Sequence, residues 1–343
     1  SSVPVYSWPD AILEGKRGGY PSDIKAIYNV GGNYLIQGSD IHKNTRAFGQ
    51  VEFAVCHDYV LTPTAQHCDI VLPTTTFLER DDIIFPDGGN YLLFSNQVVP
   101  PLPEAKNDYD IFGELAARLG FLSDYSEGKS AEEWLKSFVA DSKVPDYEEF
   151  KRTGIHMDTD QLRVGLSDFV ADPQNHPLNT PSGRVEISST AYAETGFSPI
   201  PECRILETTD RYPLRLVTPH PKFRIHSQYD NIPWFKEQEK QALWIHPHDA
   251  AERGIENDQR VCITSPEGRA RIIAHVTEDI MPGVVCLLEG AWPSFEPDGA
   301  DTAGAANVLT STVPTLPSHG SRTHSVLVQV TRTWEKEIGD SEQ

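Results

Sequence analysis

The residue types best suited to chemistry in this 343-residue sequence are concentrated in one short segment, residues 217–227. His220, Arg224 and His226 stand there beside a lysine and two hydroxyl side chains, directly after an apolar run that predicts a strand. A loop of this kind could wrap an anion or a polar ring with its backbone N–H groups and basic side chains. The other interpretation is an ordinary basic surface loop. A metal site on the two histidines would need a third ligand, and none stands near them in the sequence.

The charge balance excludes two classes of partner. Lys and Arg number 29 against 50 Asp and Glu, which gives a formal net charge of −21. Such a chain repels phosphate backbones and anionic lipid surfaces, so we expect no nucleic acid partner. No run approaches the roughly 18 consecutive apolar residues of a membrane span, so we expect no direct insertion into a membrane. An anionic ligand must then be held by local N–H groups and a few placed Arg or His side chains.

The five cysteines include no Cys-x-x-Cys pair and no repeated spacing. We therefore expect neither a zinc site nor an iron–sulfur site built from this chain alone. Cys262 and Cys286 lie in apolar runs and are interpreted as core thiols. No metal ligand and no catalytic residue is predicted from the sequence.

Short β-rich runs alternate with helical ones between residues 24 and 120, which is typical of an α/β layer. Strands are predicted at 26–30, 53–56 and 69–73, each leading into a polar loop where an open parallel sheet places its ligands. A helix is predicted at 110–119. The region 122–207 is interpreted as irregular connecting structure with one amphipathic helix at 131–139 and a turn at 180–183 that delivers a short strand.

From residue 214 the pattern changes to short strands separated by turn residues, which predicts a compact β domain. A short helix ending in a Gly cap is expected at 247–254, and a hairpin at 265–268. The strands are predicted at residues 214–217, 260–264, 270–276, 283–288 and 325–330.

Three segments of this second part carry a resemblance. Residues 217–227, 246–250 and 254–261 resemble the C-terminal domain of the dimethyl sulfoxide reductase family of molybdenum and tungsten enzymes. The later "N-x-LT" segment of that family corresponds to residues 307–310. Two departures are visible: His246 stands where Asn is usual, and Asp258-Gln259 stands where Gly-Asp is usual.

The first part is similar to the same family. Residues 28–33 resemble its strand ending in a Gly-Asn loop, and residues 58–73 resemble its "D-x-x-x-T-x-TA-x-x-AD-x-VLP" run. Within that run only Cys68 departs, because it replaces Ala. Glu79-Arg80 and residues 105–108 continue the similarity.

The resemblance implies a fold of class α/β plus β. A partial doubly wound parallel sheet domain would be followed by a double-psi-type six-stranded β-barrel. The expected limits are 1–125 for a partial α/β molybdopterin-binding domain, 126–207 for a connecting region, 208–335 for the dinucleotide-binding barrel and 336–343 for a tail.

The implied cofactor is a bis-molybdopterin guanine dinucleotide carrying molybdenum or tungsten. Asp58 and Asp108 are acceptors suited to guanine N–H groups or ribose hydroxyls, although a turn or helix cap is the alternative for either. For Arg322 and His324 the alternative is a solvated loop. The implied cofactor contacts are Asn33, Gln37, His57, Asp58, Arg80, Asp108, Thr218, Pro219, His220, Arg224, His226, Ser227, Asn307, Arg322 and His324.

The resemblance also implies what lies outside this chain. An N-terminal part of the same subunit would hold the metal ligand and a 4Fe-4S cluster, and an iron–sulfur subunit and a membrane anchor subunit are expected partners. Residues 219–227 and 229–234 look closest to anaerobic dimethyl sulfoxide reductase-like catalytic subunits of prokaryotes, which favours the periplasm or the outer face of the cytoplasmic membrane. Thiosulfate or polysulfide reductases, a pyrogallol hydroxytransferase-like enzyme, and a non-catalytic module that retains the fold are the alternatives.

Overall fold

The computed structural model describes residues 2–158, 164–200, 202, 203 and 205–333. They form two compact units: one combines the residues up to Val71 with those from Ile205 onward, and the other begins at Leu72 and ends at residue 203. None of the described helices combines the length and apolar character needed to cross a bilayer. The domain limits expected at residues 125, 207 and 335 stay a prediction, and the expected tail lies outside the described residues.

The regular elements are short throughout. The helices are α1 Trp8–Glu14, α2 Tyr34–Gln37, α3 Ile41–Phe48, α4 Asp108–Leu119, α5 Leu122–Ser126, α6 Ala131–Ala140, α7 Tyr147–Thr153, α8 Ser167–Ala171, α9 Thr190–Glu194, α10 Pro233–Gln238 and α11 Pro247–Glu252. The strands are β1 Ala26–Val30, β2 Phe53–Asp58, β3 Ile70–Pro73, β4 Asp82–Ile84, β5 Tyr91–Ser95, β6 Ile155–Met157, β7 Leu214–Val217, β8 Leu243–Ile245, β9 Arg260–Thr264, β10 Arg269–Val276, β11 Val284–Cys286 and β12 Val326–Arg332.

A three-stranded sheet of order β1-β2-β3 forms the α/β part of the first unit. Strands β1 and β2 are parallel, in a register that runs from Ala26 beside Phe53 to Val30 beside His57. Because parallel strands end at the same edge of a sheet, the loop after β1 and the loop after β2 lie next to each other. That edge therefore carries Asn33 and Asp58.

The second part of the first unit is a closed barrel of six strands in the order β10-β8-β11-β7-β12-β9. Strand β11 is parallel to β7, with Cys286 beside Val217, and β12 is antiparallel to β7, with Val326 beside Leu216. The loop that follows β7, the loop that follows β11 and the loop that precedes β12 consequently meet at one end of the barrel. We call this the barrel-end site.

The direction of strand β8 shows which residues lie at the opposite end of the barrel. It runs antiparallel to β11, with Val285 beside Ile245 and Cys286 beside Trp244. The residues after β8, which include helix α11, therefore lie at the end where β11 begins. A hydrogen bond from the Gly283 N–H to the Asp249 carboxylate, 2.7 Å long, agrees with this placement.

The barrel is filled by aliphatic side chains because its strands alternate inward apolar and outward residues. Along β7, Leu214 and Leu216 are buried, and along β12 every second residue from Val326 to Val330 is buried. Ile245 and Ile263 are fully buried in the same cluster. The predicted combination of an α/β layer with a six-stranded barrel is confirmed, while the double-psi connectivity stays a prediction.

The second unit contains an antiparallel sheet of order β4-β5-β6, in which Tyr91 lies beside Met157. Phe94 of this sheet packs with Phe150 and Leu135 from helices α7 and α6. The interpretation of 122–207 as mostly irregular was therefore incomplete, because β6 pairs with a strand more than 60 residues earlier in the chain.

One expected strand in this region is wrong. Residues 184–187 form no strand, and the preceding turn closes with a hydrogen bond from the Gly183 N–H to the Thr180 carbonyl at 2.9 Å. Val185 and Ile187 are strongly exposed, so no neighbouring strand covers the apolar positions that suggested one.

The barrel core generates a stability prediction. Replacing Ile263, which is 0% exposed, with Ala should lower the free energy of unfolding by about 2–5 kcal/mol, because it removes buried methyl groups and leaves a cavity. The matched control is Met281→Ala at an exposed position of the same part of the chain, which should change it by less than about 0.5 kcal/mol. Urea unfolding measures both. Equal effects of the two substitutions would contradict the packing described for the barrel.

Candidate functional site

The amide of Asn33 joins the sheet edge to the barrel. Asn33 follows β1, is buried, and donates through Nδ2 to the hydroxyl of Ser227 at 3.1 Å. Its Oδ1 accepts from the hydroxyl of Thr64 at 2.8 Å. The segment after β1, the segment after β2 and the loop after β7 are therefore held together by one side chain.

Asp58 ends β2 and orders the turn that follows. Its carboxylate accepts a hydrogen bond from the Tyr59 N–H at 2.9 Å and from the Thr62 hydroxyl at 3.2 Å. The Asp58 carboxylate therefore stabilises the turn after β2, which is the alternative role named for it above. Its role in binding guanine or ribose stays a prediction. The neighbouring His57 is fully buried, with its Nε2 2.7 Å from the hydroxyl of Tyr28.

At the barrel-end site, Thr218 meets the segment before β12. The Thr218 N–H donates to Nδ1 of His324 at 3.3 Å, and the Thr218 hydroxyl donates to the Thr323 carbonyl at 3.3 Å. Arg322 is exposed, and its Nε donates to the Pro314 carbonyl at 2.9 Å. The structure therefore brings Thr218 and His324 together, with Arg322 two residues before His324, and the roles of all three in cofactor binding stay predictions.

The two loop histidines share an acidic partner that sequence spacing did not suggest. Nδ1 of His220 lies 2.6 Å from Oε1 of Glu289, and Nδ1 of His226 lies 2.9 Å from the same oxygen. Both imidazoles are largely exposed. Two imidazoles and a carboxylate with their ligand atoms within 4.8 Å of one another could also hold a divalent metal.

Gly290 permits this approach. Its φ is +85°, and a Cβ at this position would lie 1.8 Å from the carbonyl oxygen of His226. His226 itself has φ +52°, in the left-handed region that a non-glycine residue rarely adopts. The backbone conformations of Gly290 and His226 therefore both allow the two loops to approach each other closely.

Arg224 is buried rather than presented to solvent. Its guanidinium lies 3.4 Å from the Asp230 carboxylate and donates to the Gln241 side chain at 2.8 Å and to the Glu289 carbonyl at 2.9 Å. Burial lowers the pKa of Arg224, and Asp230 is the leading charge that opposes this. The Nε atom has no hydrogen-bond partner among the described residues.

Asn307 forms hydrogen bonds with the C-terminal end of α2. Its Nδ2 donates to the carbonyl of Ile36 at 2.9 Å and to that of Gln37 at 3.1 Å, while its Oδ1 accepts from the Thr310 hydroxyl at 2.9 Å. The Gln37 side chain is exposed beside this contact. The predicted roles of Asn307 and Gln37 in binding stay predictions, since the amide of Asn307 already holds backbone.

Two of the predicted site residues belong to the second unit. Arg80 donates from Nε to the Asp82 carboxylate at 3.2 Å and from Nη1 to the Thr75 carbonyl at 2.5 Å. Asp108 is the first residue of α4, whose N-cap is Asn107. Arg80 and Asn107 also line a cavity of about 380 Å³ with aromatic walls.

The remaining predicted residues lie on the loop after β7. The Pro219 carbonyl accepts from the Glu289 N–H at 3.1 Å, and the Ser227 carbonyl accepts from the indole N–H of Trp292 at 2.8 Å. Sequence reasoning missed Glu289, Asp230 and Gln241, which hold the loop in place. Glu289 lies 63 residues from His226, so no local spacing could have indicated it, whereas Asp230 is six residues from its partner Arg224 and Gln241 is 17.

Taken together, the barrel-end site exposes three imidazoles and one guanidinium, those of His220, His226, His324 and Arg322, on a chain of net charge −21. Side chains of this kind donate hydrogen bonds to phosphate oxygens. The arrangement can therefore hold an anionic ligand against the prevailing negative field of the protein.

Comparison with known proteins assigns both parts of the chain to domains of one enzyme class. Residues 8–118 match the family model "Molybdopterin oxidoreductase", and residues 214–327 match the "Molydopterin dinucleotide binding domain". The second range begins at β7 and ends at the second residue of β12, so it comprises the other five barrel strands and all the loops of the barrel-end site.

Curated relatives match nearly the whole chain. Dimethyl sulfoxide reductase DmsA of Escherichia coli is 36% identical over 96% of this chain and 46% of its own length. Trimethylamine-N-oxide reductase of Haemophilus influenzae is 36% identical over 93% of this chain and 42% of its own length. The chain thus spans less than half the length of these relatives. Among solved structures, acetylene hydratase from Pelobacter acetylenicus shares the fold with a TM-score of 0.79 at 21% identity, over 96% of this chain and 47% of that one.

The buried Arg224–Asp230 pair generates a prediction. Asp230→Ala should lower the free energy of unfolding by about 3–5 kcal/mol, because it leaves the buried guanidinium without its carboxylate. Lys236→Ala is the matched control, since Lys236 pairs with the same carboxylate at 3.1 Å but is half exposed, and it should cost about 0–1 kcal/mol. Urea unfolding distinguishes the two. If Lys236→Ala lowers the free energy of unfolding as much as Asp230→Ala does, burial does not determine the strength of the Arg224–Asp230 pair.

Proposed function

The chain belongs to the molybdopterin oxidoreductases, and from that premise we propose that the barrel-end site and the adjoining edge of the parallel sheet bind part of a bis-molybdopterin guanine dinucleotide cofactor. The observation that carries the proposal is the hydrogen bond between Asn33 and Ser227, two residues 194 positions apart. It joins the loop after β1 to the loop after β7, which supports a single ligand that contacts polar groups of both.

The donor set fits a molybdopterin dinucleotide. Its pyrophosphate would be held by His220, His226, His324 and Arg322, which are among the exposed hydrogen-bond donors of the barrel-end site. The buried Nε of Arg224, which has no hydrogen-bond partner among the described residues, is a further donor on the same loop. Asn33, Gln37 and Asp58 would contact guanine or ribose, and the predicted roles of Arg80 and Asp108 in cofactor binding stay predictions.

The residues of this chain would orient the cofactor and exclude water from it. Thr218 and His324 hold each other, so the loop after β7 presents its N–H groups in a fixed arrangement before any ligand binds. Such preorganisation lowers the cost of ordering a binding loop. When bound, the molybdenum or tungsten supplies two-electron redox chemistry, oxygen-atom transfer or a related reaction.

We propose no catalytic residue in this chain. The metal ligand and a 4Fe-4S cluster are assigned to another part of the same polypeptide, and an iron–sulfur electron-transfer subunit and a membrane anchor subunit are proposed as partners. We propose an S-oxide or an N-oxide as the substrate. The dimethyl sulfoxide reductase and the trimethylamine-N-oxide reductase among the relatives support this choice.

Cofactor retention tests the site. In the whole protein purified anaerobically, His226→Ala should lower the molybdenum and pterin content several-fold, because it removes an exposed donor to phosphate from the barrel-end site. His248→Ala is the matched control: His248 is also an exposed histidine paired with a carboxylate, but it lies on α11 at the opposite end of the barrel. Metal analysis and pterin fluorescence measure the contents. Unchanged contents in His226→Ala, or equal losses in both variants, would contradict the proposed site.

Substrate choice is tested separately. The whole protein with its cofactor should oxidise a reduced viologen dye when dimethyl sulfoxide or trimethylamine N-oxide is added. If molybdenum and pterin are present but neither compound is reduced, the proposed substrates are wrong while the cofactor site stands. If the wild-type protein contains neither metal nor pterin, the proposal of an enzyme fails.

A further inference from the structure

Cys56 and Cys68 lie beside each other in the first unit. Cys56 is in β2 and fully buried, and Cys68 lies two residues before β3 and is partly exposed. Both thiols are free, and each is among the groups that shift the pKa of the other, as expected for neighbouring thiols. Cys68 is also the one residue that departs from the family run in this segment, where Ala is usual.

The backbone on both sides holds the pair in place. The Asp69 N–H donates to the Ala54 carbonyl at 2.9 Å, and the Ala54 N–H donates to the Asp69 carboxylate at 2.8 Å, so residue 68 is fixed against β2. The Asn29 side chain donates to Sγ of Cys56 at 3.1 Å, and the thiol of Cys68 donates to the Thr64 carbonyl at 3.4 Å.

We propose that Cys56 and Cys68 are an oxidisable dithiol whose disulfide fastens the loop between β2 and β3. The proposal concerns these two side chains and does not depend on the proposed cofactor. Cys203, Cys262 and Cys286 offer no comparable pair, since the interactions described for them include no second cysteine.

The oxidant is a small-molecule disulfide, and the reaction is thiol–disulfide exchange. The thiolate of Cys68 attacks one sulfur of the oxidant, which forms a mixed disulfide and expels the first small thiolate. The thiolate of Cys56 then attacks Sγ of Cys68, which forms the Cys56–Cys68 bond and expels the second small thiolate. Two electrons and two protons pass from the protein thiols to the two small thiols released.

The pair should react slowly. Burial is the main cause that raises the pKa of Cys68 to about 12, and burial also raises that of Cys56. Only the thiolate is nucleophilic, so little of either thiol is reactive near neutral pH. The cross-link should therefore form slowly near neutral pH.

The cross-link would constrain a loop on which the sheet edge depends. Thr62 supports the Asp58 carboxylate, and Thr64 supports Asn33, and both stand between the two cysteines. Closing this loop reduces the freedom of the unfolded chain, which stabilises the folded one. The oxidised protein should therefore have a thermal midpoint a few degrees higher than the reduced protein.

The test is to expose the folded whole protein to oxidised glutathione, block remaining thiols with a maleimide, and cleave before Asp58 and Asp69. This separates Cys56 from Cys68, so the two resulting peptides stay joined only by a disulfide. A joined pair that separates on reduction is expected, with a yield per unit time that rises about tenfold per pH unit at neutral to mildly alkaline pH because the thiolate fraction does. Glutathione on the exposed Cys203 shows that the oxidant acted.

Two variants complete the test. Cys68→Ala, which introduces the residue usual in the family run, should abolish the joined peptides and the rise in thermal midpoint. Cys286→Ala removes a buried cysteine elsewhere in the unit and should leave both unchanged. Glutathione on Cys203 without joined peptides would overturn the proposal. So would glutathione retained on Cys68 with Cys56 still free, because the second exchange step would then be blocked.

Discussion

The amide of Asn33 is the contact on which the arrangement of the first unit depends. One side chain donates to Ser227 and accepts from Thr64, so it fixes the loop after β7 and the turn after β2 to the end of β1. Asn33 is buried, so the loss of one hydrogen-bond partner of its amide would lower the free energy of unfolding. The polar edge of the sheet and the barrel-end site are therefore positioned together, although they come from opposite halves of the chain.

Local sequence pattern predicted some of the elements and missed others, among them helix α3 and strands β5 and β8. Strands β1, β7 and β9 lie where apolar runs placed them. Strand β8 has only three residues, and its two neighbours in the barrel lie far along the chain, so nothing local indicated it. The apolar residues at 185 and 187 led to the opposite error. They predicted a strand, but none of the described strands pairs with them.

Residue types at the site could be predicted, but their contacts could not. His220 and His226 were identified, whereas their shared partner Glu289 follows another strand. The two departures from the family pattern have physical explanations: His246 caps α11 by accepting from the His248 N–H at 3.1 Å, and Asp258 adopts φ +62° where glycine is usual. A substituted residue that satisfies the same backbone requirement preserves the turn.

The central claim is that the barrel-end site holds the dinucleotide, and an experimental structure of the whole protein purified with its cofactor tests it most directly. The account predicts pyrophosphate density within hydrogen-bond distance of the loop after β7 and the segment that contains Arg322 and His324. Dinucleotide density at the opposite end of the barrel, beside α11, or away from the barrel altogether would contradict it.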